Sequence, residues 1–360
     1  MCANLQTVRG MMGARPDILG AHLEGPFLAL SRKGAHDPEC LKDPVPEYVD
    51  RLLHAANGCL RQITIAPELP HGIDAIRRFA AAGVVPAVGH CDADYATACR
   101  GFDAGAGIMT HMFNAMNGLH HREPGPIPAA VEDPRVTVEL INDGFHVQDP
   151  MVRLGFGFAP HRIAFVTDAM AATDCPDGHY LLGALDVNVI DGHARLASNG
   201  AIAGSTLTLE KAVQRAVLEL GFTPTDAVEA ATLIPAKAFG FDRANPVTKQ
   251  PLGLLASGYA ATCFCSTPPP GPSNTSGATP TFFVKARLLK RNCRTGFVTG
   301  CRSLLYLEFL FLVLRGEAVA GDETGGDSHM LADFAVGGQC FGKHEYCGFR
   351  KFVLADVVRR

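Results

Sequence analysis

Ile18-Leu19-Gly20-Ala21-His22-Leu23-Glu24-Gly25 is a short apolar run that closes on a carboxylate, and four later runs share its plan. Val84–His90 closes on Gly89-His90, and Ile108–Asn114 passes through Thr110-His111. Val136–Asn142 leads into Asp143-Gly144-Phe145-His146, and Arg162–Asp168 closes on Thr167-Asp168. Together with Gln62–Pro67 they make six β-rich runs, apolar nearly throughout rather than alternating. Strands of that kind are expected where both faces of a parallel sheet are covered.

Between the runs lie amphipathic stretches at Pro46–Ala56, Ile73–Ala82, Ala93–Ala104 and Pro150–Phe158, with Thr206–Leu220 and Pro224–Phe239 after the last. Alternating strand and helix signals imply parallel βα units. Chemistry-bearing residues at the ends of five different strands suit a closed (β/α)₈ ring better than an open sheet, since such a barrel assembles its site at the C-terminal strand ends. A complete barrel needs eight strands, so the expectation is an incomplete (β/α)₈ TIM-type barrel over residues 1–262. Residues 263–281, rich in Pro, Gly, Ser and Thr, read as a linker, and 282–360 as a tail without recognisable pattern.

The whole chain of 360 residues is 47% apolar, enough for a large core. Its net charge of −4 offers no basic field for nucleic acid or an anionic membrane. The most apolar stretch, Leu304 to Leu314, contains Glu308 and is about half a bilayer span, so no transmembrane helix is expected. Twelve scattered cysteines with no secretory leader point to a reducing, cytoplasmic setting.

One carboxylate and two imidazoles, Glu24, His90 and His111, form a sensible donor set for a divalent transition metal. Three protein ligands leave room for water, whose pKa the cation lowers. Asp168 can take and pass on that water's proton. An equally available reading makes Asp168 a helix N-cap. Arg122, in His120-His121-Arg122-Glu123-Pro124-Gly125, is a loop guanidinium suited to phosphate, or simply a solvated charge.

These motifs resemble those of the N-acetylglucosamine-6-phosphate deacetylases of the amidohydrolase superfamily. The resemblance rests on His22-Leu23-Glu24-Gly25-Pro26-Phe27, Lys33-Gly34-Ala35-His36, Val88-Gly89-His90, and Thr110 to Met116. It continues through His120–Gly125, Asp143-Gly144-Phe145-His146, Val166–Met170 and Ile202-Ala203-Gly204-Ser205, over residues 18 to about 260. It implies that Glu24, His90 and His111 are metal ligands and Asp168 the acid/base. His36 is implied to polarise the acetyl carbonyl. Ala35, Asn114, Ala115, Asp143, Gly144, Phe145, His146 and the Ile202-Ala203-Gly204 segment are implied to line the site of a phosphorylated amino sugar. Arg122 would reach the neighbouring subunit's site, which implies a homodimer. Zinc is the first expectation for the metal, with iron, cobalt or manganese compatible with the same donors.

The chain also departs from that family. Its longer N-terminal part, with two barrel strands and part of a small β-domain, has no counterpart here. After Gly253–Ala261 the sequence turns to Thr262-Cys263-Phe264-Cys265, with no further likeness. The expectation is an open barrel whose first and last visible strands have unpaired edges. The alternatives in view are another amidohydrolase, such as a cyclic amidase or deaminase, and a fragment that keeps the ligands without a competent site.

Overall fold

The computed structural model describes residues 1–260 apart from 16 and 255, and beyond them the backbone of four short strands. The linker and tail read from the sequence otherwise lie outside the described residues. The elements in chain order begin with α1 (Cys2–Ala14), β1 (Gly20–Glu24), α2 (Pro46–Ala56) and β2 (Leu60–Ile65). They continue with α3 (Gly72–Ala81), β3 (Val85–Val88), α4 (Tyr95–Asp103), β4 (Ile108–Met109) and α5 (Ile127–Glu132). Then come β5 (Thr137–Leu140), α6 (Asp149–Phe158) and β6 (Ile163–Phe165); each strand overlaps a run read from the sequence, with β2 starting two residues before its run at Gln62.

The six strands pair in parallel and in sequence order, β1 to β6, as successive βα units require. All five positions of β1 are buried, including His22 and Glu24, because helices cover the outer face and polar side chains fill the inner one. The sheet curls into part of a barrel. Helix α2 shows the local logic. Pro46 occupies the first turn, Asn57 closes the helix in the left-handed region, and Val49, Leu52, Ala55 and Ala56 form the buried stripe. Helix α1 adds Leu5 and Val8 to the same core, and the Leu5 carbonyl accepts a hydrogen bond from Cys59 Sγ.

After β6 the chain builds a feature that the sequence reading lacked. Strands β7 (Gly178–Leu182), β8 (Leu185–Ile190) and β9 (His193–Leu196) form a separate antiparallel sheet. Its small core joins Val187, Val189, Ala194 and Leu196 to Ala35, Met170, Ala172 and Ala203. Helices α7 (Leu209–Leu218), α8 (Pro224–Ala231) and α9 (Leu233–Ala238) follow and return to the barrel wall.

Farther on, β10 (Phe264–Thr267) lies antiparallel between β11 (Phe283–Ala286) and β12 (Ser303–Leu304). The backbone of β13 (Phe311–Arg315) runs parallel beside β1, from Gly20 opposite Phe311 to Glu24 opposite Arg315. The expectation of two unpaired edges is therefore corrected at β1. At β6, among the described residues, no strand adds to the sheet, although Ala169 bridges to Ser205 just beyond it.

Candidate active site

Five side chains meet at the C-terminal mouth of β1 to β4. Glu24 ends β1, His90 and His111 follow β3 and β4 by two residues, His36 comes from the loop after β1, and His22 lies two residues before Glu24 on the inner face. All five are buried. Glu24 Oε1 stands 3.0 Å from His90 Nε2 and 2.9 Å from His111 Nε2, and the two nitrogens are 3.1 Å apart. Ligand atoms about 2.0–2.2 Å from one cation, at angles near 90–110°, would be spaced at roughly this distance.

The donor chemistry also fits a cation. His90 Nδ1 donates to the Arg32 carbonyl at 2.7 Å, which fixes the ring tautomer and leaves Nε2 as a lone pair. That lone pair faces a carboxylate oxygen, so two acceptors meet in a buried space and positive charge is needed between them. Without a metal, a proton takes that role. Burial alone would lower the His111 pKa, but the hydrogen bond and charge of Glu24, with Asp168 and Glu139, raise it to about 9. His22 goes the other way: burial lowers it to about 4 against the pull of Glu24.

His36 enters the same cluster. Its Nε2 lies 3.5 Å from Glu24 Oε2, and Nδ1 is 2.7 Å from the Lys33 carbonyl. Glu24, His36 and His90 present ligand atoms all within 4.8 Å of one another. With Nδ1 donating to Lys33, Nε2 of His36 donates only from the imidazolium form, the form that can polarise a carbonyl.

The approach of β3 to β4 depends on Gly89. A Cβ there would lie 2.6 Å from Thr110 Cβ and 3.1 Å from Thr64 Cγ2, closer than real side chains tolerate. Four of the candidate residues, His90 (φ 48°), His111 (φ 24°), Ala115 (φ 50°) and Asp168 (φ 48°), also hold left-handed backbone conformations without being glycine. Such conformations cost about 1–3 kcal/mol each and persist only where the surroundings enforce them. For His90 that enforcement includes the Ala29 N–H, which donates to its carbonyl at 2.9 Å.

Asp168 follows β6, and no helix begins there, which removes the N-cap reading. Its carbonyl accepts from Ser205 N at 2.7 Å, and its charge acts on both His111 and His22. Asn114 and Ala115 lie in the turn after His111. Asn114 Nδ2 donates to the His111 carbonyl at 3.4 Å, and the Ala115 carbonyl accepts from Cys91 N at 3.2 Å.

The other expected sugar-contacting residues form a second group. Asp143 Oδ1 accepts from Phe145 N and His146 N, both at 2.8 Å, while Oδ2 pairs with His146 Nδ1 at 2.6 Å. Burial would raise the Asp143 pKa, but the His146 bond and charge and the two N–H groups hold it below its usual value. Phe145 stacks on His193 of β9 at 4.2 Å and lies under the Arg195 guanidinium at 4.8 Å. Arg195 bridges to Ile202, and Ala203 N donates to the Ala194 carbonyl. The 143–146 turn and the 202–204 segment thus meet through β9. Ala35 shares the small core with Ala203. Arg122 stands apart: it is exposed and makes no hydrogen bond or ion pair with the described residues.

Sequence reasoning missed the polar floor of the barrel. His22 Nε2 bonds Thr64 Oγ1 at 2.9 Å, and Thr64 bonds Thr110 Oγ1 at 2.9 Å. Deeper, Gln62 Nε2 donates to Glu139 Oε1 at 2.9 Å. The available signal was polarity at inward positions of otherwise apolar strands, two residues from a ligand in the case of His22. Burial raises Glu139 to about 7, with the Gln62 bond opposing. Arg195 and His193 were missed because the small sheet that carries them was missed.

Comparison with known proteins gives a consistent result. The amidohydrolase family model matches residues 3–264. An N-acetylgalactosamine-6-phosphate deacetylase of Escherichia coli O157:H7 is 40% identical over 234 residues, which are 65% of this chain and 61% of that protein. An N-acetylglucosamine-6-phosphate deacetylase of Vibrio furnissii is 37% identical over 231 residues, 64% of this chain and 57% of that protein. The chain therefore spans about three-fifths of the length of these curated relatives. Among solved structures, the N-acetyl-D-glucosamine-6-phosphate deacetylase of Mycobacterium smegmatis superposes with a TM-score of 0.65 at 42% identity. That match covers 71% of this chain and 67% of the other, an Asp-to-Ala mutant in complex with N-acetyl-D-glucosamine-6-phosphate. The enzyme of Thermotoga maritima gives a TM-score of 0.64 at 30% identity over 71% of this chain and 68% of that one.

Proposed function

This chain belongs to the amidohydrolase family, and on that premise we propose that it is a metal-dependent deacetylase of amino-sugar catabolism. Its reaction is hydrolysis of the acetamide of N-acetyl-D-glucosamine 6-phosphate to glucosamine 6-phosphate and acetate. The observation that carries this reading is the buried cluster of Glu24 Oε1, His90 Nε2 and His111 Nε2, which calls for a positive centre. The relatives at 37% and 42% identity supply the substrate class.

Glu24, His90 and His111 would hold the cation, zinc first, with iron, cobalt or manganese suited to the same donors. When bound, the cation supplies a lowered pKa for a neighbouring water and electrophilic pull on the acetyl oxygen. His36, already against Glu24, polarises that oxygen. Asp168 takes the proton of the attacking water and delivers it to the amine nitrogen as the C–N bond breaks. The water oxygen leaves in acetate. Asn114, Ala115, the 143–146 turn and the 202–204 segment contact the sugar phosphate, and the polar tip of His146 is set by Asp143. Arg122, exposed, reaches the phosphate bound by a neighbouring copy in a homodimer, with its planar fork on two oxygens. We place this chemistry in the cytoplasm. Among the described residues no helix is long and apolar enough to cross a membrane.

A second substrate is favoured by the 40% identity to an N-acetylgalactosamine-6-phosphate deacetylase. The two sugars differ in the orientation of one hydroxyl. Acetate release by the full chain with added zinc, measured on both sugar phosphates and on unphosphorylated N-acetylglucosamine, tests the proposal. Turnover confined to a phosphorylated sugar is expected. Hydrolysis of cyclic amides instead would favour a different amidohydrolase activity, and no turnover with full metal content would favour an incompetent fragment.

A further inference from the structure

Glu139 lies on the inner face of β5, a buried carboxylate in a wall of apolar residues. Burying a carboxylate is costly unless something holds it. One oxygen is held: Gln62 Nε2, itself fully buried, donates to Oε1. The other oxygen, Oε2, is buried with no hydrogen-bond partner. His111 has the complementary gap, since Nε2 is engaged with Glu24 while Nδ1 is buried and unpartnered.

The two residues are tied in three ways. The Met112 N–H donates to the Glu139 carbonyl at 2.8 Å, which clamps the chain immediately after His111 to β5. The Glu139 carboxylate lies beside the His111 main-chain N–H, whose dipole favours its charged form. The charges of the ring and the carboxylate act on each other. All of this surrounds a residue whose backbone is left-handed and needs external support. Histidine ligands generally use their second nitrogen on a carboxylate or carbonyl that fixes ring orientation, as His90 does with Arg32.

We propose that Glu139, braced by Gln62, is the positioning residue for His111, holding its main chain and ring so that Nε2 stays directed at Glu24. The inference rests on the reading of Glu24, His90 and His111 as a cation site. It concerns metal retention, not the chemical step.

The test measures zinc affinity of the full chain by competition with a chromophoric chelator, beside thermal unfolding of the same samples. Glu139→Gln is expected to weaken zinc binding about 10- to 100-fold while the unfolding midpoint stays close to that of the parent. In a His111→Ala background, the same substitution is expected to change the residual affinity less than twofold. Unchanged affinity in Glu139→Gln would overturn the inference while leaving the cation site intact. So would an equal loss in both backgrounds, or a lowered midpoint with normal affinity. Absence of zinc binding by the parent chain would overturn the cation site and this inference with it.

Discussion

His90 Nε2 and His111 Nε2 stand 3.1 Å apart against the same carboxylate oxygen, Glu24 Oε1. Two imidazole nitrogens and an oxygen share this buried space only with a cation or a proton among them. In the metal-free protein the proton resides on His111, whose pKa is raised to about 9 despite burial, chiefly through the Glu24 hydrogen bond and charge.

Metal must displace that proton, and the sign follows. Below pH 9 each cation bound releases one proton, so apparent affinity rises about tenfold per pH unit up to 9 and then levels. Titration calorimetry at pH 7.5 in buffers of different ionisation enthalpy should give close to one proton released per cation. A flat affinity between pH 7 and 9 would contradict a shared site.

Asp168→Asn keeps the side chain's shape and removes its basicity. Its expected effect is a loss of about 10²- to 10⁴-fold in acetate release, with metal content measured by mass spectrometry unchanged. If metal were lost in proportion to activity, Asp168 would be a ligand rather than the proton carrier.

Asp143 shapes a turn through two backbone N–H groups and fixes His146 at 2.6 Å. Hydrogen bonds to a charged group contribute about 1.5–3 kcal/mol. Asp143→Asn should therefore raise KM for the phosphorylated sugar about tenfold or more and leave metal affinity alone. An unchanged KM would remove the 143–146 turn from the substrate site.

Gly89→Ala puts a methyl group 2.6 Å from Thr110 Cβ, between the strands that carry His90 and His111. Overpacking of this kind costs about 1–3 kcal/mol, and here it would also spread the two ligands. Both the unfolding midpoint and zinc affinity should fall. A variant as stable and as metal-avid as the parent would mean that β3 and β4 are less closely apposed.

The parallel sheet was legible because apolar runs and amphipathic stretches alternate along the chain, and five of the strands β1 to β6 fall inside a predicted run, while β2 starts two residues ahead of its run. The small antiparallel sheet was not read, although Asp191-Gly192, with positive φ at both residues, is a strong hairpin signal between Val187-Asn188-Val189 and Ala194-Arg195-Leu196. Its strands are short, and their alternation is broken by exposed Leu181 and Ile190. Helix α1 was missed for a related reason: only Leu5 and Val8 are buried along its length, so its periodicity is faint.

The sequence by itself determined the order of the βα units and the residue types at the strand ends, because hydrophobic periodicity is local and a terminal carboxylate or imidazole is visible in the text. Only the tertiary structure decided that Glu24, His36, His90 and His111 share one buried space, that Asp143 serves His146, and that Glu139 lies beneath His111. Those facts depend on strand register and sheet curvature, which bring together residues up to 87 positions apart. No local pattern encodes a distance across a barrel.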